Sequence, residues 1–474
     1  MMNNRIKRVF CVLLASGLLL GTSGCTDKKQ TVAVEPMEAE EVNTLTFAAT
    51  GGEDVMPIAG YFGPADSTYS YEGEKQPNFI TDEYFQMIEE SGINLLNHSY
   101  VDYESQPENV IKLLKLGEKY HLGICVNDSA IVGPYAEDTM PVKNMSDRIN
   151  EYGNYPAFCG LYVVDEPQWA GFHLGDGSRT VDMYAPILKN LSELGIYGYA
   201  NAVPDNGHSG KDEFYDDYLD YFIESGNLPY LSYDSYVWDR TAGHEVTNYF
   251  YNLSMIRDRA QAHGIPFWVF IQAGSQWNDA QSRFDSELPY YPNEKQFQWT
   301  VNVNLAYGAQ GLQYFTLFQP NYFSWAESEP FDFRRNGMIG AWGNKNEWYY
   351  YAQTVNKQVA AVDHVLMHAK NKGVIVTGDK AKEDNIYSSC LLEGDSWREL
   401  TGVEGDVMIG CFNYQGKTAL YVVNYDYEYA QDVTLHFNEN HNVTVVYDAE
   451  TSHVSAKDLT LPMQAGHGAL IVFD

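Results

Sequence analysis

The chain has 474 residues, 45% of them hydrophobic, and its 30 Lys and Arg stand against 64 Asp and Glu, for a formal net charge of −34. This composition is that of a globular protein, and the length allows about three domains, or one barrel of ~250 residues with a smaller domain. The acidic balance excludes nucleic acids and anionic lipid surfaces as general partners, because phosphate recognition needs clustered Lys and Arg. The 37 Tyr, 22 Phe and 9 Trp offer flat faces with polar edges, which suit sugar rings.

The first 25 residues have the pattern of an export signal. Arg5, Lys7 and Arg8 precede an apolar run from Val9 to Leu20, and small residues follow up to Cys25. The run is short for a membrane span of ~20 residues, which favours a cleaved signal over a transmembrane anchor. The segment resembles the signal of bacterial lipoproteins, and this resemblance implies cleavage before Cys25 and lipidation of that residue.

The processing predicted for this signal sets the expected location. Residues 1–24 are the predicted signal peptide, and the polar, acidic stretch 25–50 is the predicted flexible tether between the lipid and the folded protein. We therefore expect an extracytoplasmic protein that is anchored to the bacterial cell membrane only through its N-terminal lipid. The sequence leaves the oligomeric state open.

From residue 51 to residue 370, strand-like runs alternate with helix-like runs. The eight expected strands are Met56 to Phe62, Ile93 to Asn97, Leu122 to Asn127, Gly160 to Val164, Ile196 to Val203, Leu228 to Tyr233, Pro266 to Gln272 and Gly311 to Leu317. The expected helices between them are 81–92, 108–121, 183–195, 212–226, 247–264 and 294–308. Eight such units predict a (β/α)8 barrel, since an open doubly wound sheet rarely reaches eight.

A different pattern begins after the barrel. A further helix is predicted from Glu347 to Ala369, and residues 371–474 show short alternating strands between Gly and Asn turns. The strands expected there include 406–411, 417–424, 432–437, 443–447 and 469–472. This pattern predicts a C-terminal β-sandwich domain. We expect this domain to be structural and to stabilise the barrel through the helix at 347–369.

The cysteines and short motifs predict no cofactor and no metal. Cys125, Cys159, Cys390 and Cys411 remain after processing, without the C-x-x-C spacing of a metal site and without a nucleotide-binding motif. Cys125 lies in an apolar run and reads as a small buried hydrophobic residue. A pairing of Cys390 with Cys411 stays open.

In a barrel of this kind the reacting groups lie at the C-terminal ends of the strands. The fourth predicted strand ends in Asp165, Glu166 and Pro167. Two adjacent carboxylates directly after an apolar strand are costly unless they are used or paired, because each must be desolvated beside the other. A helix cap or a surface ion pair is the plain alternative, and the position at a strand end favours a catalytic role.

Other strand ends carry short polar side chains that suit sugar hydroxyls. Candidate ligands are His98, Asn127, Asn201, Asp234 and Gln272, each following a different strand. Candidate stacking or positioning aromatics nearby are Tyr233, Tyr236, Trp238, Trp277, Tyr322 and Trp325. Each residue taken singly is as compatible with a cap or a packed loop, but together they predict a polar ring above an apolar core.

Two segments resemble the barrel glycoside hydrolases near the β-galactosidase family 42 type. The first is Ile80 to Asn94, ITDEYFQMIEESGIN, which is similar to the first βα unit of those enzymes. The second runs from Asn336 to Leu366 and includes NEWYYYAQTVN, which is similar to the segment with which they enter the closing helix. With the following β-domain, the resemblance covers roughly residues 50–474. It implies a glycosidase that acts on an extracellular oligo- or polysaccharide.

The resemblance places the general acid/base at the end of the fourth strand, which is Glu166 here. Its usual partner is a Glu at the end of the seventh strand, but this sequence carries Gln272 there and no carboxylate before Asp279. Asp234 is therefore one candidate partner. In a second mechanism, that of substrate-assisted hexosaminidases, Asp165 would orient the substrate's own acetamide, with Tyr233 or Tyr236 steadying it.

The missing carboxylate also keeps a non-enzymatic interpretation open. A barrel that has retained the sugar-binding groove and lost the nucleophile would be a non-catalytic carbohydrate-binding lipoprotein. Two carboxyl groups that face each other across one pocket would favour catalysis over this alternative.

Overall fold

An eight-stranded parallel barrel forms the first part of the fold. The computed structural model describes residues 34–67, 70–71, 74–133, 138–168, 180–205, 213–238, 246–274, 292–319, 337–386 and 388–474. The barrel strands are β1 Ile58–Gly60, β2 Leu95–Leu96, β3 Gly123–Val126, β4 Phe158–Asp165, β5 Tyr197–Asn201, β6 Leu231–Tyr233, β7 Phe267–Gln272 and β8 Leu312–Phe315. All eight lie within or overlap the predicted runs, so the expected strand sequence is confirmed.

The barrel closes between its fifth and sixth strands. The parallel order is β5, β4, β3, β2, β1, β8, β7, β6. The ring is completed by a parallel bridge between Ala202 and Tyr233 and by a hydrogen bond of 2.7 Å from the Ala202 N–H to the Ser232 carbonyl. The C-terminal ends of all eight strands therefore meet at one mouth.

Helices connect the strands in the described part of the chain. They are α1 Asp82–Glu90, α2 Pro107–Lys119, α3 Ser129–Val132, α4 Val142–Ile149, α5 Val181–Glu193, α6 Glu213–Gly226, α7 Val246–His263, α8 Glu294–Tyr307, α9 Glu347–Val359, α10 Asp363–Leu366 and α11 Asp379–Glu383. The sequence signals act as expected at α8, where Asn293 and Gln296 form a capping box and Gly308 ends the helix with φ +92°. The predicted crossover helices are confirmed.

The C-terminal domain is an antiparallel β-structure, as predicted. Its strands are β9 Ala369–Thr377, β10 Leu400–Glu404, β11 Val407–Tyr414, β12 Lys417–Asn424, β13 Gln431–Tyr447, β14 Glu450–Met463 and β15 Gly468–Phe473. They pair in the order β9, β11, β12, β15, β13, β10, with β14 on β13. Two of the predicted strands, 432–437 and 443–447, are parts of the single long strand β13. Barrel and sandwich together confirm the predicted fold class.

Alternating side chains give β11 and β12 two different faces. Ile409 and Leu420 belong to the domain's own apolar core, whereas Phe412 and Tyr421 belong to the large cluster that includes the barrel helices. The sheet lies very close to α8, because a Cβ at Gly410 would stand 2.1 Å from the Ala306 carbonyl oxygen. Successive side chains of a strand point to opposite faces of its sheet, so a sheet that is buried on both faces needs apolar residues at both sets of positions.

The route by which the sandwich contacts the barrel differs from the prediction. The expected single helix at 347–369 is divided into α9 and α10, and β9 already begins at Ala369. The main contact is instead with α8, where the Tyr421 hydroxyl donates to Asn302 Oδ1 at 2.7 Å. The helical segment at 347–369 also contacts the sandwich, because Gln358 Nε2 on α9 donates to Asp448 Oδ1 at 2.9 Å, so α8 is a further contact that the sequence did not predict.

Residues 34–50 lie against the folded body rather than in a free tether. Glu40 forms ion pairs with Lys370 at 3.1 Å and Lys372 at 2.9 Å, and the Lys372 contact lowers the pKa of Glu40 to about 2. The Phe47 ring centroid lies 5.1 Å from that of Tyr197, below the barrel interior. The predicted tether is therefore wrong for this segment, because ion pairs and apolar burial hold it in place.

Two further sequence expectations concern membranes and cysteines. In the described ranges, no helix has both the length and the apolar character needed to cross a membrane. Cys125 is fully buried, as expected. Cys125, Cys159, Cys390 and Cys411 are all free thiols, so Cys390 and Cys411 are not paired. Cys25 lies outside the described residues.

Candidate active site

A β-bulge aims the Asp165 side chain into the barrel. The register between β4 and β5 shifts between Tyr162 and Val164, so that Tyr162 pairs with Tyr199 and Asp165 pairs with Asn201. Without the bulge, the alternation of a strand would place positions 162 and 165 on opposite faces. With it, both belong to the interior side, where Tyr162 packs on the inner aromatic cluster.

Glu166 follows at the rim in a strained backbone conformation. Its φ is +50°, a left-handed value that a non-glycine residue rarely adopts. The conformation is held by its N–H, which donates to the Asn201 carbonyl at 2.9 Å, and by Pro167 directly after it. The side chain is exposed at the mouth. Strain of this kind concentrates at functional sites.

The carboxyl group of Asp234 meets Glu166 across the mouth. Asp234 follows β6 and is half-buried, and its Oδ1 accepts at 2.7 Å from Nδ2 of Asn201, whose carbonyl also accepts from the Glu166 N–H. Burial, followed by the negative charges of Glu166 and Asp165, raises the pKa of Asp234 well above its usual range. The adjacent carboxyl groups of Asp165 and Glu166 and the distant one of Asp234 thus share one site.

Asp165 is held from the other side by Tyr61, which is linked in turn to Tyr162. The Tyr61 hydroxyl donates to Asp165 Oδ2 at 2.9 Å and lies 3.0 Å from the Tyr162 hydroxyl. Tyr61 is 3% exposed, and burial, followed by the charge of Asp165, raises its pKa well above the usual range. Tyr61 therefore stays a neutral hydrogen-bond donor at any physiological pH.

His98 forms the neighbouring wall of the mouth. Its ring stacks on Tyr61 at 5.2 Å and meets the Tyr162 ring edge-on at 4.6 Å. Burial lowers the pKa of His98 to about 3, so the imidazole is neutral. Its Nδ1 is buried and has no hydrogen-bond partner among the described residues. His98 was predicted as a substrate ligand, and this position leaves that role available.

The other predicted ligands occupy different surroundings. Gln272 is the last residue of β7 and is 2% exposed. Its Nε2 donates to the Gly274 carbonyl at 3.0 Å. Tyr236 belongs to the inner aromatic cluster, 5.8 Å from the Phe315 ring. Asn127 uses its amide to bind the Ser99 carbonyl, which fixes a loop. Trp277, Tyr322 and Trp325 lie outside the described residues.

Two predicted aromatics point away from the mouth. Tyr233 lies beside the inward-facing Ser232 on β6, and its side chain is buried in the outer cluster between the barrel and the helices. Trp238 packs on Trp299 and donates to Thr300 Oγ1 at 2.8 Å. The proposal of Tyr233 as an acetamide partner was wrong, because successive strand residues face opposite sides.

Sequence reasoning missed Tyr61 and Tyr162. Tyr61 stands directly after β1, so its position at a strand end was a usable signal, whereas Tyr162 reaches the site only because of the bulge. No group of three or more His, Cys, Asp or Glu in the described ranges is arranged to hold a metal ion. A cavity of about 310 Å³ lies at the opposite end of the barrel, beside Phe47 and Tyr197, and no carboxylate lines it.

Comparisons with known proteins give structural similarity only. No family model matches this chain, and no curated protein matches its sequence. Similar solved structures include a noncanonic maltogenic alpha-amylase from Thermotoga neapolitana, with 12% identity and a TM-score of 0.44 over 89% of this chain and 99% of that one. An alpha-amylase from Geobacillus thermoleovorans, complexed with acarbose, has 9% identity and a TM-score of 0.48 over 89% and 98%.

A third similar structure is a glucosidase from Croceicoccus marinus, with 9% identity and a TM-score of 0.43 over 93% of this chain and 99% of that chain. At such low sequence identity and TM-score, these similarities give no information about the substrate or the catalytic residues. What the site does must be argued from its own geometry.

Proposed function

We propose that this protein is a glycoside hydrolase in which Glu166 and Asp234 are the two catalytic carboxyl groups. The observation that carries the proposal is that Asn201 holds both residues at the C-terminal mouth of the barrel: its carbonyl accepts from the Glu166 N–H at 2.9 Å and its amide donates to Asp234 Oδ1 at 2.7 Å. Barrel enzymes hold their reacting groups at this end. Most glycoside hydrolases need one carboxylic acid and one carboxylate beside the scissile bond.

The pair supplies both forms at neutral pH. Two neighbouring carboxylates do not both ionise readily, and Asp165 adds a third negative charge beside them. The pair therefore holds one proton in the empty site. That proton is available to the leaving oxygen of a glycoside, and the remaining carboxylate is available to the anomeric carbon.

Glu166 is the proposed acid and Asp234 the proposed nucleophile. Glu166 is exposed and can reach a glycosidic oxygen, whereas Asp234 is half-buried and held by Asn201. Glu166 protonates the leaving oxygen as its bond to the anomeric carbon breaks and Asp234 bonds to that carbon. Glu166 then takes a proton from the water that displaces Asp234.

Asp165 supports a second mechanism, which a substrate screen separates from the first. Its carboxylate lies in the same mouth with the Tyr61 hydroxyl on it, and an Asp with a Tyr is the combination that would orient a substrate acetamide. In that mechanism only N-acetylated sugars turn over, and Asp165→Asn lowers the rate more than Asp234→Asn does. The attachment of both Glu166 and Asp234 to Asn201 favours the two-carboxylate mechanism.

The deciding experiment is a screen of the mature chain against aryl glucosides, galactosides and N-acetylhexosaminides. Glu166→Gln should lose a factor of ~100 or more on substrates with poor leaving groups and less on activated ones, because only the former need the acid. The matched control is Glu224→Gln, which changes an exposed carboxylate on α6 and should behave as wild type.

Two outcomes would contradict the proposal. Equal activity of Glu166→Gln and wild type on both kinds of leaving group would reject Glu166 as the acid. A wild type that binds sugars but cleaves no glycoside would instead favour the non-catalytic carbohydrate-binding protein.

The proposal includes export and lipid attachment at Cys25, with an oligo- or polysaccharide as substrate. Its support is the basic and apolar pattern of residues 5–20 followed by Cys25. Expression of the full chain with a radiolabelled fatty acid should label the wild type and leave Cys25→Ser unlabelled. Equal labelling of both would reject the lipidation site.

A further inference from the structure

A chain of buried hydrogen bonds crosses the barrel interior and ends on Asp234. Its members are Cys125 on β3, Asn97 after β2, Gln313 on β8, Ser232 on β6 and Asn201 on β5, all with at most 1% of their surface exposed. The successive donor–acceptor distances are 3.9 Å from Cys125 to Asn97, 2.6 Å from Asn97 to Gln313, 2.7 Å from Gln313 to Ser232, 2.7 Å from Ser232 to Asn201 and 2.7 Å from Asn201 to Asp234.

Every donor in this chain points toward Asp234. Gln313 Nε2 donates to Ser232 Oγ, so the one hydroxyl hydrogen of Ser232 is left to donate to Asn201 Oδ1, and Asn201 Nδ2 then donates to Asp234 Oδ1. Reversal would require the carboxyl oxygen Oδ1 of Asp234 to carry a proton and donate it to Asn201. Because Oδ1 accepts from Asn201 whether or not Oδ2 carries a proton, the chain keeps its direction toward Asp234.

Packing alone does not account for these residues. Barrel interiors are commonly filled by Val, Ile and Leu, and apolar side chains of similar volume would avoid the cost of burying amides. Aligned hydrogen bonds polarise one another, so each donor strengthens the next. The dipoles of the hydrogen-bonded groups are thus all oriented toward Oδ1 of Asp234.

Resting on the proposed function, we infer that Gln313 is a positioning residue for Asp234: through Ser232 and Asn201 it fixes the Asp234 carboxyl group and favours its ionised form. Gln313 contacts neither Asp234 nor, by its position inside the barrel, a substrate. The effect opposes that of burial and of the neighbouring carboxylates, which raise the pKa of Asp234.

The titratable groups near Asp234 determine the electrostatic surroundings in which this effect acts. They are Glu166 and Asp165 on β4, Tyr199 on β5, Tyr215 and Tyr218 on α6, and Tyr233 on its own strand. Burial raises the pKa of each of these tyrosines, so they remain neutral where the enzyme would work.

The test is the pH dependence of kcat/KM for Gln313→Leu. Loss of the donor to Ser232 should move the acidic limb, which reports ionisation of the nucleophile, to higher pH by about half a unit or more. The matched control is Gln310→Leu, since Gln310 is also buried but donates to the Met367 carbonyl at 2.9 Å at the other end of the barrel. Its acidic limb should not move.

A second variant and a second readout complete the test. Ser232→Ala removes the next link with little change in volume and should shift the limb at least as far, which preserves the test if Gln313→Leu does not fold. The Asp234 carboxyl signal, assigned by its loss in Asp234→Asn, can be titrated by carbon-13 NMR without any substrate. It should titrate at higher pH in both variants than in wild type.

The two proposals fail in different ways. An active enzyme whose limb and carboxyl titration are unchanged in Gln313→Leu and Ser232→Ala overturns the positioning role. A carboxyl titration that shifts in a protein without glycosidase activity retains the positioning role and overturns the proposed function.

Discussion

The interior of the barrel and the interior of the sandwich are filled by different kinds of side chains. The sandwich core is apolar, with Val407, Ile409, Leu420 and Val422 all fully buried. The barrel instead buries Asn97, Asn201, Ser232 and Gln313 beside a layer of tyrosines, as described above. Buried polar groups add little net stability even when they are hydrogen-bonded, so we expect the sandwich core to contribute mainly to stability and, under the proposed function, the barrel core to position the carboxyl groups.

Loss of Asp234 should have the largest effect, and on activity alone. Asp234→Gly should lower turnover by about a thousandfold or more, since it removes the charge that stabilises the anomeric carbon in the transition state. Added azide should restore activity and give a glycosyl azide of inverted anomeric configuration, visible by proton NMR. Rescue of Asp165→Gly but not of Asp234→Gly would show that the nucleophile is Asp165 and not Asp234.

A cavity in the sandwich should lower stability and leave activity unchanged. Ile409→Ala should lower the free energy of unfolding by about 2–5 kcal/mol, the usual cost of truncating a fully buried side chain of this size, while the activity per folded molecule stays unchanged. Urea unfolding and an active-site titration measure the two quantities. Leu391→Ala, at a side chain that is 39% exposed, is the control and should cost less than about 1 kcal/mol. A large loss of specific activity in Ile409→Ala would break the contrast between the two interiors.

A single hydroxyl in the barrel interior should matter for rate. Tyr61→Phe removes the donor to Asp165 and should lower kcat/KM by about tenfold, which corresponds to one hydrogen bond to a charged group. Tyr199→Phe makes the same chemical change at a buried hydroxyl that has no hydrogen-bond partner among the described residues. Steady-state kinetics should find the second variant near wild type, and equal losses in the two would remove the special role of Tyr61.

A pH dependence of stability is expected from His98. Its pKa is about 3 when folded and about 6.5 when unfolded, so between these values the unfolded chain binds a proton that the folded chain does not. Stability from this group is therefore fully present above about pH 6.5 and falls as the pH is lowered toward 3.

Urea unfolding at several pH values checks this expectation. His98→Gln should lose less stability than wild type between neutral and acidic pH. His121→Gln, at a histidine whose side chain is 82% exposed, should follow the wild-type slope. Identical slopes for all three proteins would contradict a neutral, buried His98.

The sequence by itself determined the elements of the barrel and one half of the site. Apolar runs, capping residues such as Asn293 and terminal glycines such as Gly308 act over a few residues, so they could be read directly. The placement of Asp165 and Glu166 at a strand end, and the absence of a carboxylate at Gln272, followed from the same local pattern.

Only the tertiary structure decided which groups meet. The attachment of both Glu166 and Asp234 to Asn201, the bulge that turns Asp165 inward and the outward direction of Tyr233 depend on barrel closure and strand register, which join residues far apart in the chain. The hydrogen-bond chain through Gln313 and Ser232 likewise requires five strands to converge. Local sequence patterns carry no distance information across such separations, and so the site became visible only once the strands were closed into a ring.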